Sequence, residues 1–160
     1  MDVRVDGKVA IVTGASRGIG EAIAAQLLDS GAAGVTITSR REESVTAAAD
    51  RLGDERVLPL AARADREEDA ERAVTETIAR FGRLDILINN AGTNPAAGDL
   101  ASVDLGAVAK TWGVNQLGPL LWARAAWRHY LADATGAIVN IASVGGLRAA
   151  PFIGAYNISK

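Results

Sequence analysis

The sequence has no cysteine in its 160 residues, which excludes disulfides and thiolate metal ligation. Its single histidine, His129, stands alone, and no metal-ligand cluster is visible. An excess of one charge is also lacking. The 17 basic and 19 acidic residues are interspersed and give a formal net charge of −2. That balance argues against a protein built for duplex nucleic acid or a membrane surface. No apolar run approaches membrane-spanning length. The start, Met1-Asp2-Val3-Arg4-Val5-Asp6, has no apolar region of the signal-peptide kind. Repeats and low-complexity tracts are absent. The lack of cysteine does not fix the compartment but fits a cytoplasmic protein at least as well as a secreted one, and cytoplasmic is the expectation. With 49% hydrophobic and 22% charged residues, the chain reads as one globular domain over residues 1–160.

What is present is an alternation of strands and helices. Lys8 to Thr13 is a nearly continuous β-branched apolar run, the pattern of a strand buried on both faces. Ile19, Ile23, Leu27 and Leu28 then recur at helical spacing, and Gly31 lies where a helix C-cap belongs. Gly34 to Ser39 reads as a second strand, Arg41 to Leu52 as a helix ended by Gly53, and Val57 to Ala62 as a third strand. Asp65 and Glu68 have capping-box spacing ahead of an apolar stripe at Ala70, Val74, Ile78 and Phe81. Leu84 to Ile88 is a fourth strand. Ser102 to about Leu131 is mostly helical with interruptions near Gly113 and Pro119, and Ala137 to Ile141 is a fifth strand. The remainder reads as loop until its last few residues. The fold class is α/β, a Rossmann-type doubly wound parallel sheet with five strands. Ligands in such sheets bind beyond the carboxyl ends of the strands, where the glycine turn, Asn90 and Ser143 all fall.

The turn is Thr13-Gly14-Ala15-Ser16-Arg17-Gly18-Ile19-Gly20. It joins a buried strand to an amphipathic helix, whose N-terminus offers unpaired N–H groups to a pyrophosphate. It lacks the Gly-Lys-Ser/Thr of a P-loop. Its Gly-x-x-x-Gly-x-Gly spacing resembles the short-chain dehydrogenase/reductase family, as do Asn89-Asn90-Ala91-Gly92, Asn115, Ser143, and Tyr156 with Lys160. The resemblance runs along the whole chain. It implies cofactor contacts at Gly14, Ser16, Arg17, Gly18, Ile19, Gly20, Asp65, Asn90, Ala91 and Gly92, with Asp65 at the adenine edge. Arg66 departs from the apolar residue usual there.

The resemblance also implies a catalytic set of Asn115, Ser143, Tyr156 and Lys160. Tyr156 would be the acid/base, Lys160 would stabilise tyrosinate and hold the nicotinamide ribose, and Ser143 would polarise the substrate oxygen. Asn115 would hold a relay water through its backbone carbonyl. Pro119, four residues on, has no N–H to donate to that carbonyl. The expected reaction is hydride transfer between a ketone and a secondary alcohol. A narrower alternative is 3-oxoacyl-[acyl-carrier-protein] reductase-like activity. A non-catalytic dinucleotide-binding fragment is the alternative of a different class, and a methyltransferase on a similar sheet is a distant third.

One further absence selects the cofactor. NAD-binding members tend to carry an acid at the end of the second strand, where this chain has Ser39 followed by Arg40 and Arg41. A guanidinium there suits a 2′-phosphate, and Arg17 is a second basic candidate. The reading is NADP(H) ahead of NAD(H). Finally, the chain stops at Lys160, where family members continue through further strands and helices. The expectations are a C-terminally truncated record and an unpaired fifth strand. Tyr156 to Lys160 would be too short to hold a helix unaided, and the chain as written would be poorly stable and nearly inactive. The resemblance implies a homo-oligomeric parent enzyme, since subunit contacts in the family often involve the long helix.

Overall fold

The computed structural model describes residues 4–160; Met1 to Val3, part of the start read above, lie outside the described residues. One parallel sheet forms the centre, in the order β3-β2-β1-β4-β5. The strands are β1 (Val9–Val12), β2 (Gly34–Ser39), β3 (Val57–Ala61), β4 (Ile86–Asn89) and β5 (Ala137–Asn140). Helices α1 (Gly18–Asp29), α2 (Glu42–Leu52) and α3 (Glu67–Phe81) connect the first four.

Alternation along each strand feeds two cores. Ile11 of β1 and Leu87 of β4 pack with Ala70, Val74 and Trp122 on one face. Their neighbours Val12 and Ile88 pack with Ala24, Leu28 and Val45 on the other. This two-sided burial accounts for the continuous apolar runs of β1 and β4. Gly53 and Gly82 close α2 and α3 in the left-handed conformation, φ 60° and 77°, which glycine adopts without a Cβ penalty.

The capping box expected at Asp65 does not form. Arg66 is the N-cap of α3 and makes no side-chain cap bond. Asp65 instead accepts from Arg63 Nε at 3.0 Å and Nη2 at 2.7 Å, while Arg63 N–H donates to Asp69 Oδ2. An arginine two residues upstream takes the carboxylate that the helix end would have used.

The interruptions expected near Gly113 and Pro119 resolve into a change of hydrogen-bond register rather than a break. Helix α4 (Leu105–Trp112) runs into a π-helical segment, Gly113–Leu117, and then into α5 (Gly118–Ala126). Gly118 N–H donates to Gly113 O, and Pro119 sits in the first turn of α5, where a missing N–H is tolerated. A second π-helical segment follows at Trp127–Leu131; no sequence signal marked it.

Beyond β5 come a 3₁₀ turn, Val144–Gly146, and the short helix α6 (Gly154–Ile158). The terminal segment read as too short to hold a helix is therefore helical for one turn, for a reason that lies in its contacts. β5 is the outermost strand of the described sheet, with Ile138 40% and Val139 43% exposed. No helix among the described residues is long and apolar enough to cross a membrane.

Candidate active site

The carboxyl ends of β1 and β4 are tied together by one threonine. Thr13 Oγ1 accepts the N–H groups of Asn90 and Ala91, each at 3.0 Å, and donates to Ile88 O. Asn90 Nδ2 returns two bonds, to Thr13 O at 2.9 Å and Gly14 O at 3.1 Å. Asn90 thus fixes the glycine turn from the β4 side. Two glycines are demanded by this closeness. A Cβ on Gly14 would lie 2.8 Å from Ala91 Cα, and one on Gly20 would lie 2.5 Å from Asn90 Nδ2. Gly18 has open space around it but a φ of +60°, so its requirement is conformational. Thr13 is the organiser that sequence reading missed; it lies just ahead of the first glycine.

Against this turn lies a cavity of about 660 Å³. It runs from Ser39 and Arg40 past Ser16 and Arg17 to Asn90 and Gly92. Gly14, Asp65 and Ala91 complete the expected residues on its wall, whereas Gly18, Ile19 and Gly20 do not line it; Ile19 is 65% exposed. The walls also include Arg41, Arg51 and, on α2, Ser44 and Ala47. Ser44, Ala47 and Arg51 are spaced three and four apart, one face of a helix, a period visible in the sequence but identical to that of a solvated face. Hydrogen bonds from Arg63 hold the Asp65 carboxyl below the ordinary aspartate range, against the opposing push of burial.

The cavity suits a dinucleotide. Guanidinium groups gather at one end, and Arg17 begins α1 without a side-chain cap, which leaves first-turn N–H groups for an anion.

None of the four expected catalytic residues lines the cavity; Lys160 and Asn115 approach it at Gly92. Lys160 Nζ donates to Ile141 O at 3.1 Å. A Cβ at Gly92 would lie 3.4 Å from Lys160 Nζ and 3.6 Å from Asn115 Oδ1, so these two side chains meet at the end of β4. A Cβ at Gly145 would lie 3.3 Å from Ser143 Oγ and 3.6 Å from Tyr156 Cε1, so those two meet beside the 3₁₀ turn. Ser143 Oγ accepts from Gly145 N–H at 3.1 Å. The Asn115 amide is fully engaged: Oδ1 accepts from Thr93 N–H, and Nδ2 donates to Thr93 O and Ser159 Oγ.

Three side chains of the α4–π segment clamp α6. Trp112 Nε1 donates to Ala155 O at 3.2 Å, Asn115 Nδ2 to Ser159 Oγ at 2.8 Å, and Gln116 Nε2 to Ile158 O at 3.1 Å. Ala155 is buried. Packing and these bonds supply what so short a helix cannot supply alone. Elsewhere, His129 of the second π-helical segment bonds Glu71 of α3, Trp122 is core, and Trp127 is 58% exposed. Among the described residues no acidic or histidine cluster is placed to hold a metal.

The short chain dehydrogenase family model matches residues 8–160. The chain belongs to that family. It is 37% identical over 160 residues to dehydrogenase/reductase SDR family member 4 of Caenorhabditis elegans, covering 98% of this chain and 61% of that protein. It is 38% identical over 157 residues to 2-(R)-hydroxypropyl-CoM dehydrogenase of Xanthobacter autotrophicus, covering 96% and 63%. Among solved structures, a short chain dehydrogenase from Mycobacterium smegmatis superposes with a TM-score of 0.91 at 32% identity, covering 98% of this chain and 66% of that one. The chain therefore spans less than two thirds of these relatives. The family generally binds a nicotinamide dinucleotide, NAD(H) or NADP(H).

Proposed function

We propose that the protein bearing this chain is an NADP(H)-dependent oxidoreductase that interconverts a ketone and a secondary alcohol. The observation that carries the reading is the pairing of four side chains around two glycines, one of which lies on the cavity wall although none of the four side chains does. Ser143 and Tyr156 meet at Gly145, and Lys160 and Asn115 meet at Gly92, which also lines the cavity. The similarity to 2-(R)-hydroxypropyl-CoM dehydrogenase, named for a secondary alcohol, supports the substrate class.

The bound dinucleotide supplies the hydride. The rest is the work of the chain. Ser143 Oγ donates to the carbonyl oxygen and favours the charge that develops there. The Tyr156 hydroxyl gives its proton to that oxygen in reduction and recovers one in oxidation. The Lys160 ammonium stabilises the tyrosinate left behind and holds the nicotinamide ribose. Asn115 bolts the segment that carries both, through Ser159. Its backbone carbonyl, four residues before Pro119, which has no N–H to donate to it, would hold the water that resupplies protons. At the far end Ser39, Arg40 and Arg17 bind the 2′-phosphate, where an acid would repel it.

Steady-state turnover of the full-length gene product tests this. NADPH oxidation should accompany reduction of a panel of ketones. Tyr156→Phe should lower kcat by a factor on the order of 10² or more with NADPH affinity unchanged. Retained turnover in that variant would remove Tyr156 from the role.

A further inference from the structure

Arg51 closes α2 on the cavity wall, 35 residues from the glycine turn in sequence, yet it is bonded to that turn. Its Nη2 donates to Ser16 O at 2.9 Å, and Nε and Nη2 donate to the two carboxylate oxygens of Glu21 at 2.8 and 2.9 Å. Ser16 lies inside the turn; Glu21 lies in the first turn of α1. One guanidinium therefore spans the phosphate loop and the helix that follows it.

The surroundings show why this link matters. Before Ser16, Ala15 N–H is fixed to Thr38 O at 2.9 Å. After it, Gly18 takes a left-handed φ of +60° with nothing within 4 Å of its Cβ position. Between these two points Arg51 grips the Ser16 carbonyl. A fixed Ser16 carbonyl also fixes the Arg17 N–H, which shares its peptide plane. Glu21 also needs a partner. A free carboxylate one turn into α1 would oppose an anion at the same helix end. The bonds from Arg51 hold the Glu21 carboxyl below the usual glutamate range, over a smaller contrary push from burial.

We infer that Arg51, paired with Glu21, is a positioning residue for the dinucleotide pyrophosphate: it locks the Ser16 carbonyl in place and screens the Glu21 charge. Its bonds in the structure go to Glu21 and Ser16, so the role inferred for it is at the turn, in contrast to that of Arg40 at the 2′-phosphate. The inference rests on the dinucleotide reading and adds a residue to it.

Calorimetric titration of the gene product with NADPH and with NADH tests it, with Arg51→Met keeping the aliphatic stem. An exposed pair of this kind is worth at most about a fivefold change. NADPH and NADH should therefore both weaken, by the same factor of about two to five, leaving the ratio of their affinities as in wild type. Arg51→Lys keeps a charge near Glu21 but loses the fork, and it should weaken both cofactors equally by a smaller factor. It decides the matter if Arg51→Met does not fold. Binding as tight as wild type in either folded variant overturns the inference, and so does a loss confined to NADPH. A wild-type protein that binds neither dinucleotide overturns the underlying reading as well.

Discussion

Trp112 Nε1 donates to Ala155 O at 3.2 Å, so an indole in α4 holds the carbonyl of the residue before Tyr156. This bond crosses 43 residues of sequence and fastens the short helix that carries the proposed proton donor. A proton donor misplaced by about 1 Å costs on the order of a hundredfold in rate, and loosening one of three clamps costs less. Trp112→Phe should lower kcat about tenfold with NADPH affinity intact. Steady-state kinetics beside a binding titration reads this split; equal losses in both would point to general unfolding.

Thr13 predicts a stability effect with no chemistry in it. Its hydroxyl oxygen takes two amide N–H groups at the β1–β4 junction. Thr13→Val keeps the shape and leaves the Ala91 N–H without its acceptor, while Asn90 N–H keeps Ile88 O at 3.1 Å. One unsatisfied group of this kind costs about 1–3 kcal/mol, so stability should fall by about 1–2 kcal/mol, the group being part-buried. Urea unfolding measures it.

Cofactor choice follows from the end of β2. Ser39→Asp combined with Arg40→Ala places a carboxylate where the ribose 2′ position is expected and removes a guanidinium. The ratio of kcat/KM for NADPH over NADH should fall at least about tenfold. An unchanged ratio would count against the assignment of these two residues.

Asp85 predicts a pH effect at the opposite end of the sheet. Burial pushes its carboxyl up, but bonds from Arg83 at 2.6 and 2.7 Å, Val9 N–H at 2.9 Å and the Lys8 charge bring it below the ordinary aspartate value. A group depressed on folding stabilises above its unfolded value of about 3.9 and loses that contribution as pH falls through the folded value. Asp85→Asn should therefore cost about 1–2 kcal/mol at neutral pH, screening of the exposed Arg83 included. The difference from wild type should shrink below about pH 4. Urea midpoints across pH check both the size and the sign.

The sheet and the glycine turn were readable because their causes are local. Two-sided burial writes a continuous apolar run into β1 and β4, and a turn that must approach Asn90 and Ala91 closely excludes a Cβ at Gly14 and Gly20. The clamp of Trp112 and Gln116 on α6 was not readable, since it joins residues over 40 positions apart that share no period. Arg51 was hidden for another reason. On α2 it looks like any solvated arginine, and only the fold brings Ser16 O to it. At Asp65 a local rule gave the wrong answer, because Arg63, two residues away, competed for the same carboxylate.

The central claim is hydride transfer at this sheet edge with Tyr156 as proton donor. The most direct measurement incubates the full-length gene product with a ketone and NADPH deuterated on the transferring face of the nicotinamide, and locates the label by NMR. The account predicts deuterium on the carbinol carbon of the product alcohol, and none formed by Tyr156→Phe at the same NADPH occupancy. Alcohol without the label, or labelled alcohol formed equally by that variant, would contradict it.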